Sequence, residues 1–388
     1  MMKFNFDKLP NRRNTESYKW DLAKEGELPM WVADMDFEVF EDIRIALQKR
    51  LDINCYGYSM IPDAFYESIC WWWDIRHHVK YDKSWLVYSS GVVAAISSMV
   101  RRLTNVGDKV IVQPPVYNVF YNSILNNKRV AVENPLLEKN GEFFMDFEDL
   151  EEKMKDESTK LMILCNPHNP VGRLWNKEEL IKVGELAKKY NVIVISDEIH
   201  CDITDPGYEY TPFLGVSDIN KEIGVAAISA SKAFNLAGLQ SACLIIPNEE
   251  LRKNVDRGLN NDEVAECNFF SMDANIAAFS PRGAEYIDEL NKYIYRNKQY
   301  FMEYVKKELP ELKVIDSHAT YLMWIDISNL EINSDEFASR LREQTGLFIA
   351  GGVKYHGDGD KYFRINLATS LDNVKDACAR LKTFVKSL

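Results

Sequence analysis

Lys232 stands in SASKAFNLAGL, directly after an apolar run and preceded by Ser229 and Ser231. A lysine there is either a charge on a surface loop or a desolvated amine. A desolvated amine has a lowered pKa and can attack a carbonyl to form a Schiff base. The two serines could donate hydrogen bonds to a phosphate. Asp197 closes the run VIVISDE. A carboxylate at the end of a buried strand is costly to leave unpaired. It caps the next helix, pairs with an arginine, or holds a proton on a pyridinium nitrogen and so makes that ring a better electron sink. NPHNPVGR (166–173) is a rigid strand-to-helix turn. It could also present the Asn169 amide to a cofactor oxygen and a substrate carboxylate. In SSGVVAAI (89–96), Gly91 opens a helix whose free N–H groups suit a phosphate. Tyr117, behind Pro114 and Pro115, is a core residue or a ring that stacks on a flat cofactor. Arg364, between apolar residues in YFRINLA, calls for a structural ion pair or a bidentate carboxylate ligand.

These residues need elements to hold them. The segments 109–115, 160–167, 191–198, 224–230 and 241–247 read as strands, with an amphipathic helix over 177–190. The strand runs are apolar on both faces, as in a covered parallel sheet, and they alternate with helical patterns. An α/β domain with a mainly parallel sheet follows. Ligands in such sheets sit beyond the carboxyl ends of the strands. Asn166, Asn169, Asp197, Ser229, Ser231 and Lys232 all fall there. Helical patterns at 283–309, strands at 319–327, 347–352 and 362–368, and a helix from Leu371 suggest a second, smaller α+β domain. The division expected is 46–280 for the large domain, with 1–45 and 281–388 forming the small one.

The chain of 388 residues has 47 Lys plus Arg against 59 Asp plus Glu, a net charge of −12. That acidity argues against a nucleic-acid partner. No apolar run reaches the roughly 20 residues of a membrane helix, and the N-terminus has no signal core. Seven scattered cysteines without a C-x-x-C pair suggest reduced thiols in the cytoplasm. No metal site is expected, because the six histidines are not at ligand spacing to the cysteines. Trp71–Trp73 and Trp85 read as core or interface. GDGD (357–360) reads as a loop, and no dinucleotide or Walker-type glycine motif is present.

SYKWD (17–21), MWVADMDF (30–37), YGY (56–58), SGVVAAI, QPPVY, NPHNPVGR, ISDEIH, SKAFNLAGL and FRINLA together resemble the fold-type I pyridoxal-phosphate (PLP) enzymes of the class I/II aminotransferase superfamily. Within it the match is to the MalY/PatB group of cystathionine β-lyase-like C–S lyases. The resemblance implies a seven-stranded sheet, PLP as cofactor and a homodimer with shared active sites. It implies that Lys232 carries the cofactor and moves the Cα proton, and that Asp197 pairs with the pyridine nitrogen. Asn169 contacts the ring O3′, assisted by His200, and Tyr117 stacks on the ring. The amides of Val92 and Val93, with Ser229 and Ser231, take the phosphate, joined by Tyr58 from the second subunit. Arg364, with Asn169, binds the substrate α-carboxylate. One position departs from the wider superfamily: Gln240 stands where many aminotransferases place a phosphate-binding arginine.

The activity implied is cleavage of cystathionine or a related cysteine S-conjugate to a thiol, pyruvate and ammonia. An aminotransferase shares every step up to the Cα carbanion, so the residues around the ring do not separate the two. The leaving group and the side-chain pocket decide, and WVADMDF is expected to line that pocket, with Asp34 or Asp36 serving a structural turn. A regulatory binding protein on the same scaffold, with a protein partner, is the remaining alternative.

Overall fold

A computed structural model describes residues 3–388. The central sheet has seven strands: β1 (Leu86–Ser89), β2 (Lys109–Val112), β3 (Val130–Glu133), β4 (Thr159–Cys165), β5 (Ile193–Asp197), β6 (Gly224–Ile228) and β7 (Ala242–Ile245). Their order is β1-β7-β6-β5-β4-β2-β3. β7 runs antiparallel to both its neighbours, and the other pairings are parallel. The double-sided apolar pattern has its physical reason here. Met162 and Leu164 of β4 enter one apolar cluster, and Leu161 and Ile163 enter another on the opposite face. Successive side chains alternate across a strand, so a sheet covered on both faces needs apolar residues at every position.

The helix Lys177–Lys189, which follows β4, starts with a capping box between Asn176 and Glu179. The helix Val92–Leu103, which follows β1, differs. It starts at Gly91 with no side-chain cap, so its first N–H groups stay free. Trp72 and Trp73, on the helix Asp63–His77, are buried in the main core, and Trp71 and Trp85 pack against it.

A second, antiparallel sheet contains β8 (Lys313–Val314), β9 (Leu322–Asp326), β10 (Ala350–Gly351) and β11 (Tyr362–Asn366), in the order β8-β9-β11-β10. Its apolar face packs against the helix Leu371–Val385 in a third cluster, which also takes in Leu28 and Met30. The two chain ends therefore share one core. The helix Pro281–Glu308 contributes Tyr286 and Leu290 to the main core and Phe301 and Val305 to the third.

His77 and the adjacent pair Cys201 and Asp202, far from it in sequence, bring their ligand atoms within 4.8 Å of one another. Sequence spacing did not expose this, because the helix and a sheet-end loop meet only in the fold. The Asp202 carboxylate already accepts from Trp72 Nε1 at 2.9 Å and contacts His77 Nε2 at 3.1 Å, with Arg76 Nε at 3.7 Å. A carboxylate so supplied with donors, beside a guanidinium, is a hydrogen-bond node joining helix to loop.

Candidate active site

The carboxyl ends of β4, β5 and β6 open onto one cavity of about 320 Å³. Its walls include Val92, Val93, Tyr117, Asn169, Asp197, His200, Ser229, Ser231, Lys232 and Arg364. The two sheets meet there. Asp197 is the last residue of β5, Asn169 lies in the turn after β4, and Lys232 follows β6, whereas Arg364 comes from β11.

Lys232 Nζ donates to the Ala33 carbonyl at 2.8 Å. Burial pushes its pKa down, as does Arg364; Asp34 and Asp197 oppose that. Asp197 is buried and accepts only from the Ile199 N–H, at 3.2 Å, so burial raises its carboxyl to about 7. A cation set against this carboxylate would reverse the shift. His200 is held neutral, its pKa lowered to about 3 by burial and then by Lys232 and Arg364. Tyr117 is raised, by burial first and by Asp197 second.

Arg364 is buried in β11 and meets no carboxylate. It donates to Asn169 Oδ1 and to the Trp31 carbonyl, each at 3.0 Å, and its Nε has no partner. A buried guanidinium with donors to spare suits an anionic ligand. Because Asn169 turns its oxygen to Arg364, its Nδ2 is left to donate elsewhere.

The roof is the segment 31–35, whose consecutive carbonyls all accept from side chains. Trp31 takes Arg364, Val32 takes Asn366 at 2.7 Å, and Ala33 takes Lys232. Asp34 takes Asn366 at 2.8 Å and Lys19 at 3.0 Å; Met35 takes Arg12 and Asn235. Below it, the fully buried Lys19 pairs with Asp36 at 2.9 Å, and Arg12 pairs with Asp34 at 2.7 Å. Both aspartates thus hold the roof in place, and Val32 and Ala33 are the parts of WVADMDF that line the cavity.

The donor set fits PLP. One end of the cavity has the uncapped N-terminus at Val92 and Val93 and the Ser241 hydroxyl, which is buried and without a partner. Neutral donors of this kind suit a phosphate. The lining also includes the buried Asp197 carboxylate, for a ring nitrogen, and His200, whose Nδ1 is unpartnered. The Ser229 hydroxyl donates to the Ser241 carbonyl at 2.7 Å and accepts from the Ser231 N–H at 3.1 Å. In this arrangement Ser229 organises the loop and its one donor is spent.

Sequence reading missed Ser241, Cys165 and the roof carbonyl of Ala33. Ser241 adjoins the flagged Gln240 and lines the same wall, so position was the available signal. Cys165 is paired in register with Asp197, and its sulfur accepts from the Asn169 N–H at 3.3 Å. Tyr58 does not join the others: its side chain is fully exposed.

Comparison with known proteins fits this geometry. The family model described as aminotransferase class I and II matches residues 30–381. The chain is 41% identical over 383 residues to the cystathionine beta-lyase PatB of Bacillus subtilis strain 168, covering 97% of this chain and 99% of the relative. Its fold is similar to that of cystalysin from Treponema denticola, whose crystal structure contains a pyridoxal 5′-phosphate cofactor, with a TM-score of 0.95, 31% identity and 100% of both chains covered. It is also similar to a PLP-bound C–S lyase from Staphylococcus hominis in the external aldimine form with L-cycloserine, with a TM-score of 0.92, 31% identity and coverage of 99% and 98%. On the family match and the full-length identity, the chain belongs to the class I and II aminotransferase family.

Proposed function

We propose that the protein is a PLP-dependent C–S β-lyase that cleaves cystathionine or a related cysteine S-conjugate to a thiol, pyruvate and ammonia. The observation that carries the reading is the cavity itself: an amine without a carboxylate partner, a buried carboxylate and an unpaired guanidinium share one enclosure. The names of the similar proteins, a cystathionine beta-lyase and C–S lyases, favour elimination over transamination.

Bound PLP supplies the electron sink for charge developing at the substrate Cα. The protein's residues do the rest. Lys232 Nζ would hold the cofactor and, as a free amine, would take the proton from the substrate Cα. Asp197 would hold a proton on the pyridine nitrogen. Val92 and Val93 amides, with Ser231 and Ser241, would hold the phosphate, and Ser229 keeps their loop in shape. Tyr117 would pack against the ring, and Asn169 Nδ2 and His200 would serve its O3′. Arg364 orients the substrate through its α-carboxylate. The roof at 31–35 screens the amine from bulk water.

The working unit is a homodimer in this reading. Ile53, in the turn after the helix Glu41–Leu51, and Tyr58 and Met60, in the irregular segment that follows, are exposed, and a second copy would cover them and bring its Tyr58 to the phosphate. The cytoplasm is the proposed compartment, from the seven free cysteines. No helix is long and apolar enough to cross a membrane among the described residues.

The test is to load the purified protein with PLP, add L-cystathionine, and assay pyruvate and free thiol, with Lys232→Ala alongside. A yellow protein that makes both products, lost in the variant, is the expected result. Conversion of an amino acid and a keto acid without pyruvate or thiol would move the reading to aminotransferase. A protein that stays colourless with PLP would overturn the cofactor assignment.

A further inference from the structure

A second cation without an acid partner, the exposed Lys354, lies outside the cavity's lining but within reach of Arg364. The turn Val353–Tyr355 carries Lys354, and it is held rigidly. Gly352 and Val353 N–H groups donate to the Ser334 hydroxyl at 2.9 and 3.3 Å, and Val116 N–H donates to the Tyr355 carbonyl at 2.9 Å. The next residue, His356, stacks on Tyr121 with ring centres 3.6 Å apart. Lys354 is therefore presented by a fixed backbone, one residue before a buried tyrosine.

That tyrosine ring links two positive charges. The Arg364 guanidinium carbon lies 5.0 Å from the Tyr355 ring centre, and Lys354 Nζ lies 5.6 Å from the same centre. The two cations are thus no more than about 11 Å apart, both on one electron-rich ring. The neighbouring acids are engaged elsewhere. Glu133 meets Tyr121 and His356, and Asp358 meets Lys361. Asp335 acts on Lys354 only over distance. The amine is lowered to about 8, by desolvation first and then by Arg364. Two like charges held this close without an acid between them favour a ligand with two negative groups.

We propose that Lys354 binds a second, distal carboxylate of the substrate while Arg364 binds the α-carboxylate, so that the site selects cysteine S-conjugates whose sulfur substituent ends in an acid. This rests on the C–S lyase reading and narrows its substrate class. A thioether diacid is long enough to bridge the two cations. A neutral S-alkyl cysteine of the same length leaves Lys354 unpaired.

Two matched probes test it: S-(2-carboxyethyl)-L-cysteine and S-propyl-L-cysteine, which differ in the terminal group. In the PLP-loaded wild type, kcat/KM for pyruvate release is expected to favour the acid by about tenfold or more. Lys354→Ala should lower kcat/KM for the acid by about tenfold and change that for the propyl probe less than twofold. Lys354→Arg should keep the preference. Lys354→Glu should reverse it toward S-(2-aminoethyl)-L-cysteine. Equal losses on both neutral and acidic probes, or no change on either, would overturn the proposal. Calorimetric binding of the same probes separates this from failure of the lyase reading. If no probe yields pyruvate but the acid binds more tightly and loses that advantage in Lys354→Ala, the docking role stands and the lyase reading falls. If binding shows no such advantage, the docking role falls.

Discussion

Two lysines, one enclosed and one half-buried at the cavity wall, are handled in opposite ways. Lys298, on the helix Pro281–Glu308, is fully enclosed and meets the Asp205 carboxylate at 2.8 Å and the Ser317 carbonyl at 3.4 Å. Lys232 faces a cavity and meets only the Ala33 carbonyl. Burial lowers both amines. At Lys298 a directly bonded carboxylate opposes that effect and the cation is fixed. At Lys232 the acids act from a distance, so the amine is freer to give up its proton and become a nucleophile. The enclosed lysine bonded to a carboxylate is part of the framework; the one bonded to a carbonyl at the cavity wall is part of the chemistry.

The largest effect that would sharpen this contrast is on catalysis. Lys232→Ala should lower cystathionine cleavage by about 10³-fold or more, because one amine both carries the cofactor and moves the proton. The same variant should unfold in urea close to the wild-type midpoint as apoprotein, since no ion pair is lost. A large drop in that midpoint would break the comparison.

The mirror-image effect is on stability. Lys298→Ala strands the Asp205 carboxylate in the interior, and removing one partner of a buried pair costs about 3–5 kcal/mol. The urea midpoint should fall accordingly, while kcat of the folded, PLP-loaded protein stays within a few-fold. The double variant Lys298→Met with Asp205→Leu should recover much of the loss, because the uncompensated charge is gone.

A smaller, pH-dependent effect concerns Asp197. Its folded-state pKa is raised, to about 7 from 3.8, so its contribution to apoprotein stability is present below the lower value and lost as pH rises through the upper one. Asp197→Asn cannot ionise. The thermal midpoint of that apo variant, relative to wild type, should therefore rise between about pH 4 and pH 8. PLP should remove the wild-type disadvantage at the upper end by placing a cation on the carboxylate. A difference that is flat with pH would mean that Asp197 is not forced toward neutrality in the empty cavity.

The catalytic floor was more legible in the sequence than the roof. Asp197, Lys232 and Asn169 follow apolar strands of a parallel sheet, and strand ends are where such sheets bind ligands. Arg364 stood out because charge is rare inside an apolar strand. The roof uses backbone carbonyls, which leave no residue-type signature, and several of their partners lie some 200–330 positions away, such as Asn235 and Asn366. Ser241 escaped because a serine beside a strand is ordinary until its hydroxyl is found buried without a partner. At fold level, the strands that went unread in the central sheet are β1 and β3, its two edges. Tyr58 marks a different limit: a single chain offers nothing within reach of it.

Asn366 supplies the smallest and most local test of how the lysine contrast is maintained. It lies two residues after Arg364 on β11, so both side chains leave the strand on the same face. Its Nδ2 reaches the Val32 and Asp34 carbonyls, and its Oδ1 accepts from the Ala368 N–H at 2.8 Å. The intervening Ala33 carbonyl, which holds Lys232, is thus clamped on both sides. Asn366→Ala leaves buried carbonyls short of a donor, at a cost of about 1–3 kcal/mol. It also loosens the acceptor of the catalytic amine without touching the cavity's charged groups. The expected result is a modest fall in the urea midpoint together with a lower kcat and nearly unchanged KM, since Arg364 still holds the substrate. Asn366→Asp, which keeps the Ala368 contact but sets a carboxylate against two carbonyls, should do worse than alanine on both measures. If either variant changed KM alone, the roof would be acting on substrate binding rather than on the position of Lys232.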